Sequence, residues 1–301
     1  MPLFSIVIPT FNRANFIEKS IKSVVSQSFT DYELIIIDDG STDNTRQTVR
    51  PFISPKIRYL YQKNQERSTA RNNAIEAAKG TYVCFLDSDD FYLPNHLETF
   101  YQAIKTLKDQ KAMLYSGNFE LIEGQLIKKP LPSLVSKNPI KALLDYTVFP
   151  TCACIERSIL KEFRFNPKNN VWEDTELWLK IATKYPIIQL DKHTCVWQMH
   201  PQSTTQQIER NLTKNDIKQD IEKKKNILQT YIDQQHIKQS EVNEFIAKNY
   251  YYYAHDSLKI FKTRQASHCL YQNVAGYPKN LYSKHTWALV KNILKAAFAN
   301  H

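Results

Sequence analysis

The sequence predicts an α/β fold with a mostly parallel central sheet flanked by helices, followed by a helical C-terminal region. Three observations carry that prediction. Short apolar runs alternate with longer amphipathic segments over the first 120 residues, which is the pattern of βαβ units. Runs such as Leu34-Ile35-Ile36-Ile37 are continuous rather than alternating, as in strands covered on both faces. From about Ser203 onward the pattern turns helical, polar and rich in Lys, Gln, Asn and Tyr. The expected division is therefore 1–204 and 205–301, with the first part split into halves of about 1–115 and 116–204.

The elements follow in order. Residues 4–8 read as a buried strand. Asn15, with Glu18 three residues on, resembles a capping box opening a helix whose Phe16, Ile17, Ile21, Val24 and Val25 share a face. Residues 33–38 form a second strand, and Gly40-Ser41-Thr42-Asp43 a turn and helix N-cap. A weaker third strand spans 57–61. Ser68 is placed to cap a helix from Thr69 to Lys79 that stops at Gly80, and 81–86 return as a fourth strand. Pro94 starts a helix reaching about Gln110, 112–116 form a fifth strand, and Pro130, Pro132 and Pro139 mark an irregular segment. Residues 173–185 read as a helix with Leu177, Trp178 and Ile181 inward, and 186–188 and 194–197 as two short strands.

Composition excludes several classes. With 42% apolar and 23% charged residues and a mean hydropathy of -0.48, the 301-residue chain can bury a core, and no 18-residue uncharged apolar run is long enough to cross a bilayer. The first residues carry no leader pattern, so the cytoplasm is the expected compartment. The five glycines fit neither GxGxxG nor GxxxxGK[ST], which argues against dinucleotide-binding dehydrogenases and P-loop NTPases. Five scattered cysteines suit neither a disulfide framework nor a CxxC zinc site and read as reduced packing thiols. Of the net charge of +10, residues 205–301 hold 15 Lys/Arg against 8 Asp/Glu, leaving 25 against 22 before them. That asymmetry points the tail at something anionic.

Ligands of an open parallel sheet bind outside the carboxyl ends of its strands. Here those ends deliver Pro9-Thr10-Phe11-Asn12, Asp38-Asp39 and Asp87-Ser88-Asp89-Asp90, so five carboxylates are expected on one rim. Crowded carboxylates repel unless a cation offsets them, which suggests a divalent metal with oxygen ligands, Mn²⁺ or Mg²⁺, suited to a diphosphate.

In sequence order, Ile8-Pro9-Thr10-Phe11-Asn12-Arg13, Ile37-Asp38-Asp39-Gly40-Ser41-Thr42-Asp43, Ala70-Arg71-Asn72, Phe85-Leu86-Asp87-Ser88-Asp89-Asp90 and Glu173-Asp174 resemble the motifs of family 2 glycosyltransferases over roughly 1–204. The resemblance implies the GT-A fold, a Rossmann-like α/β architecture. It also implies nucleotide-sugar contacts from Pro9, Thr10, Phe11, Asp38, Asp39, Arg71, Asp87 and Ser88, and metal ligation by Asp89 with Asp87 and His200. It casts Asp174 as the general base of an inverting transfer from a nucleotide diphospho-sugar, UDP being the expected nucleotide, to a glycan or lipid-linked acceptor in cell-surface polysaccharide synthesis. Asp43 reads as a cap instead. Glu66 and Ala74 stand where family members often have glycine, and Lys180 where they often have arginine. The alternative reading is a non-enzymatic module that uses the basic tail on nucleic acid or membrane. The favoured one expects no nucleic acid, and places residues 285–298 as an amphipathic helix either on lipid at the inner face of the plasma membrane or packed on the protein.

Overall fold

The structure is a computed structural model describing residues 1–131, 138–169, 172–203, 213–259 and 262–299. The chain divides into two compact units, Met1–Met199 and His200–His301.

The first unit is built on one sheet in the order β3-β2-β1-β4-β8-β6-β9-β5, with β7 paired to β6. Its first half is parallel: β1 (Phe4–Thr10) lies between β2 (Tyr32–Asp38) and β4 (Tyr82–Phe85), and β3 (Ile57–Tyr61) flanks β2. Helices α1 (Ile17–Val25), α2 (Thr45–Val49) and α3 (Glu66–Ala77) make the crossovers. Ile6, Val7, Ile8, Leu34, Ile35, Ile36, Val83 and Phe85 are fully buried, as continuous apolar strands covered on both faces should be.

The other half is mixed rather than parallel. β8 (Ala153–Glu156) runs antiparallel to both β4 and β6 (Met113–Ile122), β9 (Ile187–Gln198) is parallel to β6, and β5 (Phe91–Tyr92) is antiparallel to β9. Among the described residues the unit also holds the helices α4 (His96–Thr106), α5 (Pro139–Asp145), α6 (Arg157–Glu162) and α7 (Glu173–Ala182).

Several expectations about single elements change. The two short strands expected at 186–188 and 194–197 are one, β9, because pairing with β6 carries the polar stretch 189–193 across a register shift near Gly117. There a Cβ on residue 117 would stand 2.7 Å from the His193 ring, so glycine lets that ring lie against the strand. The fifth strand runs on to Ile122 and turns through Glu123 (φ 48°) and Gly124 (φ 81°) into β7 (Gln125–Lys128), a two-residue hairpin loop with positive φ at both positions. The stretch marked by Pro130, Pro132 and Pro139 lies between β7 and α5: Pro130 and Leu131 carry no regular structure, Pro132 lies outside the described residues, and Pro139 is the first residue of α5. No side chain caps α1; Glu18 pairs instead with Lys22 one turn on, at 2.7 Å. Ser68 does not cap α3 but sits buried inside it, donating to the Asn169 carbonyl at 3.2 Å.

Helix α3 begins at Glu66 with φ 72°, a left-handed conformation that strains a residue bearing a Cβ. Glu66→Gly is expected to stabilise the protein by about 1 kcal/mol, a rise in Tm of about 2–4 °C, whereas Glu66→Val should lower it. Thermal melts in which both variants moved the same way would contradict this.

Within the second unit, α8 (Lys214–Asp233) opens on a reciprocal capping box between Thr213 and Asp216. It is followed by α9 (Gln239–Lys259), α10 (Thr263–Gly276) and α11 (Lys284–Ala299). Tyr253 of α9 donates its hydroxyl to Asp220 of α8, and Lys224 reaches the same carboxylate at 2.8 Å. The five cysteines are free and buried.

Candidate active site

Parallel pairing of β1 with β2 and β4 puts three strand ends on one rim. Thr10 is in register with Asp38, and the backbone runs on from β4 into Asp87–Asp90. Pro9 and Thr10 are buried, with Thr10 Oγ1 lacking a hydrogen-bond partner, while Phe11 is 44% exposed. Asn12 (φ 52°) accepts from the Thr42 amide at 2.8 Å and donates its own amide to Ser41 Oγ, stitching the first two loops together. Asp43 accepts from the amides of Ala14 and Thr45, so it serves the start of α2.

The five rim carboxylates do not behave alike. Asp38 faces inward: Oδ1 accepts from the Ser41 amide at 2.7 Å and Oδ2 from the Tyr59 hydroxyl at 2.5 Å. Asp39 is held through one oxygen, Oδ1, by Gln62 Nε2 at 2.7 Å and the Gln65 amide at 2.9 Å. Asp90 is buried, accepting from Thr151 Oγ1 at 2.8 Å and the Gln198 amide at 3.1 Å. Burial first, then the charges of Asp89 and Asp87, push its carboxyl well above the usual carboxylate range. Ser88 is buried between the two outward carboxylates, Asp87, 33% exposed, and Asp89, 18% exposed, whose Oδ2 lies 3.6 Å from Arg13 Nε.

Arg71 of α3 ties this loop to α7. Its guanidinium is buried, with Nη2 2.7 Å from Asp87 Oδ1 and Nη1 2.9 Å from Glu173 Oε1, while Nε has no partner. Burial alone would lower its pKa; the charges of Asp87 and Glu173 outweigh that and hold it firmly protonated. Removing one member of a buried pair leaves the others uncompensated. Arg71→Met is therefore expected to cost about 3 kcal/mol or more in urea unfolding, and Arg71→Lys less, since lysine keeps the charge without the fork. An unchanged midpoint for the Met variant would show that the bridge carries nothing.

Asp174 lies in the first turn of α7, after Trp172 in a left-handed conformation (φ 67°). Its Oδ1 accepts from the Thr175 amide at 2.6 Å. The side chain keeps partial solvent access but lies deep among protein atoms, and that burial, followed by the charge of Glu173, pushes its carboxyl up to about 7 against the pull of the Thr175 amide and Arg71. A carboxylate poised there can take a proton at neutral pH.

His200 begins the second unit and is buried, with its carbonyl accepting from the Ser203 amide at 2.9 Å. Among the described residues no three His, Cys, Asp or Glu side chains form a ready metal cage. The donor set nonetheless fits a hard divalent cation: Asp87 and Asp89 are oxygen donors close enough to perturb Asp90, and such ions take only one or two carboxylates when phosphate and water supply the rest.

Sequence reading missed the supports beneath this rim: Tyr59 under Asp38, Gln62 and Gln65 on Asp39, and Thr151 on Asp90. All lie 21 to 61 residues from their partners and carry no local signal.

The family model described as Glycosyl transferase family 2 matches residues 5–164. The chain is 35% identical over 182 residues to the Escherichia coli UDP-Glc:alpha-D-GlcNAc-diphosphoundecaprenol beta-1,3-glucosyltransferase WfgD, covering 60% of this chain and 69% of that one. It is 31% identical over 191 residues to the putative colanic acid biosynthesis glycosyl transferase WcaA of E. coli K12, covering 61% and 67%. Against an uncharacterized glycosyltransferase of Rickettsia prowazekii it is 33% identical but spans only 58% of that protein's length. Among solved structures, Staphylococcus aureus TarS 1–349 in complex with UDP-GlcNAc shares the fold with a TM-score of 0.63 at 17% identity, over 91% of this chain and 89% of that one. The Pyrobaculum calidifontis mannosyltransferase PcManGT, in complex with GDP-Man and Mn²⁺, aligns at 0.55 and 17% identity over 99% and 87%.

Proposed function

The chain belongs to glycosyl transferase family 2, and from that premise we propose that it moves a sugar from a nucleotide diphospho-sugar, UDP-linked first of all, to a hydroxyl of a glycan or lipid-linked acceptor during bacterial surface-polysaccharide synthesis. The observation that carries the reading is Asp174: a carboxyl pushed up to about 7, one residue from Glu173, which Arg71 bridges to Asp87.

An acceptor hydroxyl is far too weak an acid to ionise at neutral pH, so its proton must leave as the new bond forms. Asp174 takes that proton in our reading. Thr10, Phe11 and Asp39 receive the nucleotide, with Asp38 fixing the turn beneath them. Asp87 and Asp89 are the residues that would hold a divalent cation; when bound, such an ion neutralises the charge growing on the departing diphosphate. Arg71 keeps Asp87 and Glu173 in place, so the donor loop and the base share one strut. Residues of about 1–115 would serve the donor and 116–204 the acceptor, working in the cytoplasm. One base and no protein nucleophile imply a single displacement with inversion.

WfgD's name states a UDP-Glc donor and a diphosphoundecaprenol-linked acceptor, and TarS was crystallised with UDP-GlcNAc, which makes UDP-sugars the first donors to try. The test is to incubate the protein and Mn²⁺ with UDP-glucose, UDP-GlcNAc or GDP-mannose and an isoprenoid-diphosphate monosaccharide. Mass spectrometry should find the acceptor heavier by one sugar, and NMR an inverted anomeric centre. Retained configuration, or no donor consumed with any acceptor, would contradict the reading. A purely nucleic-acid-binding role would leave the acidic rim without a purpose.

A further inference from the structure

The second unit bears a surface that the transfer chemistry does not use. Residues 257–301 hold seven Lys or Arg and no Asp or Glu, so the last stretch of chain is cationic without interruption. Within it, α11 has two unlike sides. Thr286, Leu289 and Ile293 are buried, three and four residues apart, and form its inward stripe. Lys284, Trp287, Lys291 and Leu294 recur at the same spacing on another stripe, where Trp287 is 59% and Leu294 52% exposed. Immediately before the helix, the turn Pro278–Tyr282 exposes Leu281 and Tyr282, the latter at 86%.

Outward positions of a surface helix are ordinarily polar, so an indole and a leucine set among lysines there require a reason. Indole and phenol rings favour the level of lipid headgroups, leucine favours the acyl boundary below it, and lysine is drawn to anionic headgroups. We infer that the outward stripe of α11, with Leu281 and Tyr282 ahead of it, docks on an anionic phospholipid bilayer with the helix lying in the headgroup plane. Among the described residues no helix is long and apolar enough to cross a membrane, which agrees with lying on the surface. A second copy of the chain fits worse, because a two-fold contact would set this cationic stretch against itself. Nucleic acid would match the lysines and rings but leave Leu281 and Leu294 against phosphate and water.

The full chain can be co-sedimented with vesicles of phosphatidylcholine containing roughly one-third phosphatidylglycerol, and with phosphatidylcholine alone, at ~0.15 M salt. Binding is expected to be at least about tenfold stronger to the anionic vesicles. It should fall about tenfold when Lys284→Glu, Lys291→Glu and Lys295→Glu are combined, and similarly for Trp287→Ser with Leu294→Ser. Tryptophan emission should shift to the blue on vesicles in the wild type and not in Trp287→Phe. Circular dichroism and UDP binding, measured on the same samples, separate loss of this surface from loss of fold or of donor chemistry. Equal partition of wild type and variants would overturn the inference. So would no binding to anionic vesicles, a dimer that the Trp287/Leu294 variant dissolves, or capture by RNA in preference to vesicles.

Discussion

Asp174→Asn is expected to lower kcat by about 10²–10⁴-fold while leaving UDP affinity within about twofold, because asparagine keeps the shape and loses only the proton acceptor. The same residue sets two pH dependences of known sign. As the base it must be ionised, so kcat/KM of the wild type should climb with pH through about 7 and level off above. For stability the sign is opposite. A carboxyl with a folded pKa of about 7 and an unfolded value near the usual ~3.9 holds its proton longer in the native state, so stability falls as pH rises between those values. Asparagine removes that penalty: Asp174→Asn should melt higher than wild type at pH ~8, by roughly 1–2 kcal/mol after allowing for the solvent that reaches this partly open carboxylate, and equally at pH ~4. An inactive variant less stable at pH ~8 would mean that Asp174 is scaffold.

Asp89→Ala is expected to reduce kcat/KM by roughly 10²–10³-fold, the equivalent of about 3–4 kcal/mol, and to abolish the metal dependence of nucleotide binding. Stability should change little. The residue lies 3.6 Å from Arg13 with both side chains about a fifth exposed, and an ion pair of that kind is worth about 0–1 kcal/mol. Its removal also relieves some of the repulsion on buried Asp90, which acts in the opposite direction. Asp38→Asn makes the contrast: it disturbs the Ser41 and Tyr59 contacts, so its effect should appear in the melting temperature as well as in nucleotide affinity. Together the two variants distinguish a carboxylate that faces ligand from one that holds the rim.

How far this was legible in the sequence depends on the range of the interaction. The β1, β2 and β4 strands and the helices between them could be read directly, since a continuous apolar run states its own burial. The mixed half could not. β8 enters between β4 and β6 from 68 residues beyond β4, and β9 looked like two strands because its middle is polar and its continuity comes from β6. Two helix caps failed for a related reason. Asn15 and Ser68 have the chemistry of caps, yet α1 begins at Ile17 with no side-chain cap, and Ser68 is already the third residue of α3, bonded to Asn169. In the site, the motifs located the rim but not the direction its members face. Asp38 and Asp39 are adjacent, and only the positions of Tyr59, Gln62 and Gln65 decide that the first is turned inward and the second held through one oxygen. The Arg71 bridge is likewise invisible in sequence, because Asp87 and Glu173 stand 16 and 102 residues from it.

The most direct test of the central claim, a nucleotide-sugar site on this rim that uses a divalent cation, is a calorimetric titration of UDP into the wild-type protein and Asp89→Ala, first with Mn²⁺ and then with EDTA. The account requires saturable binding by the wild type with Mn²⁺, weakened at least about tenfold by EDTA and to a similar level by the substitution. UDP binding of equal strength in all four titrations, or in none, would contradict it.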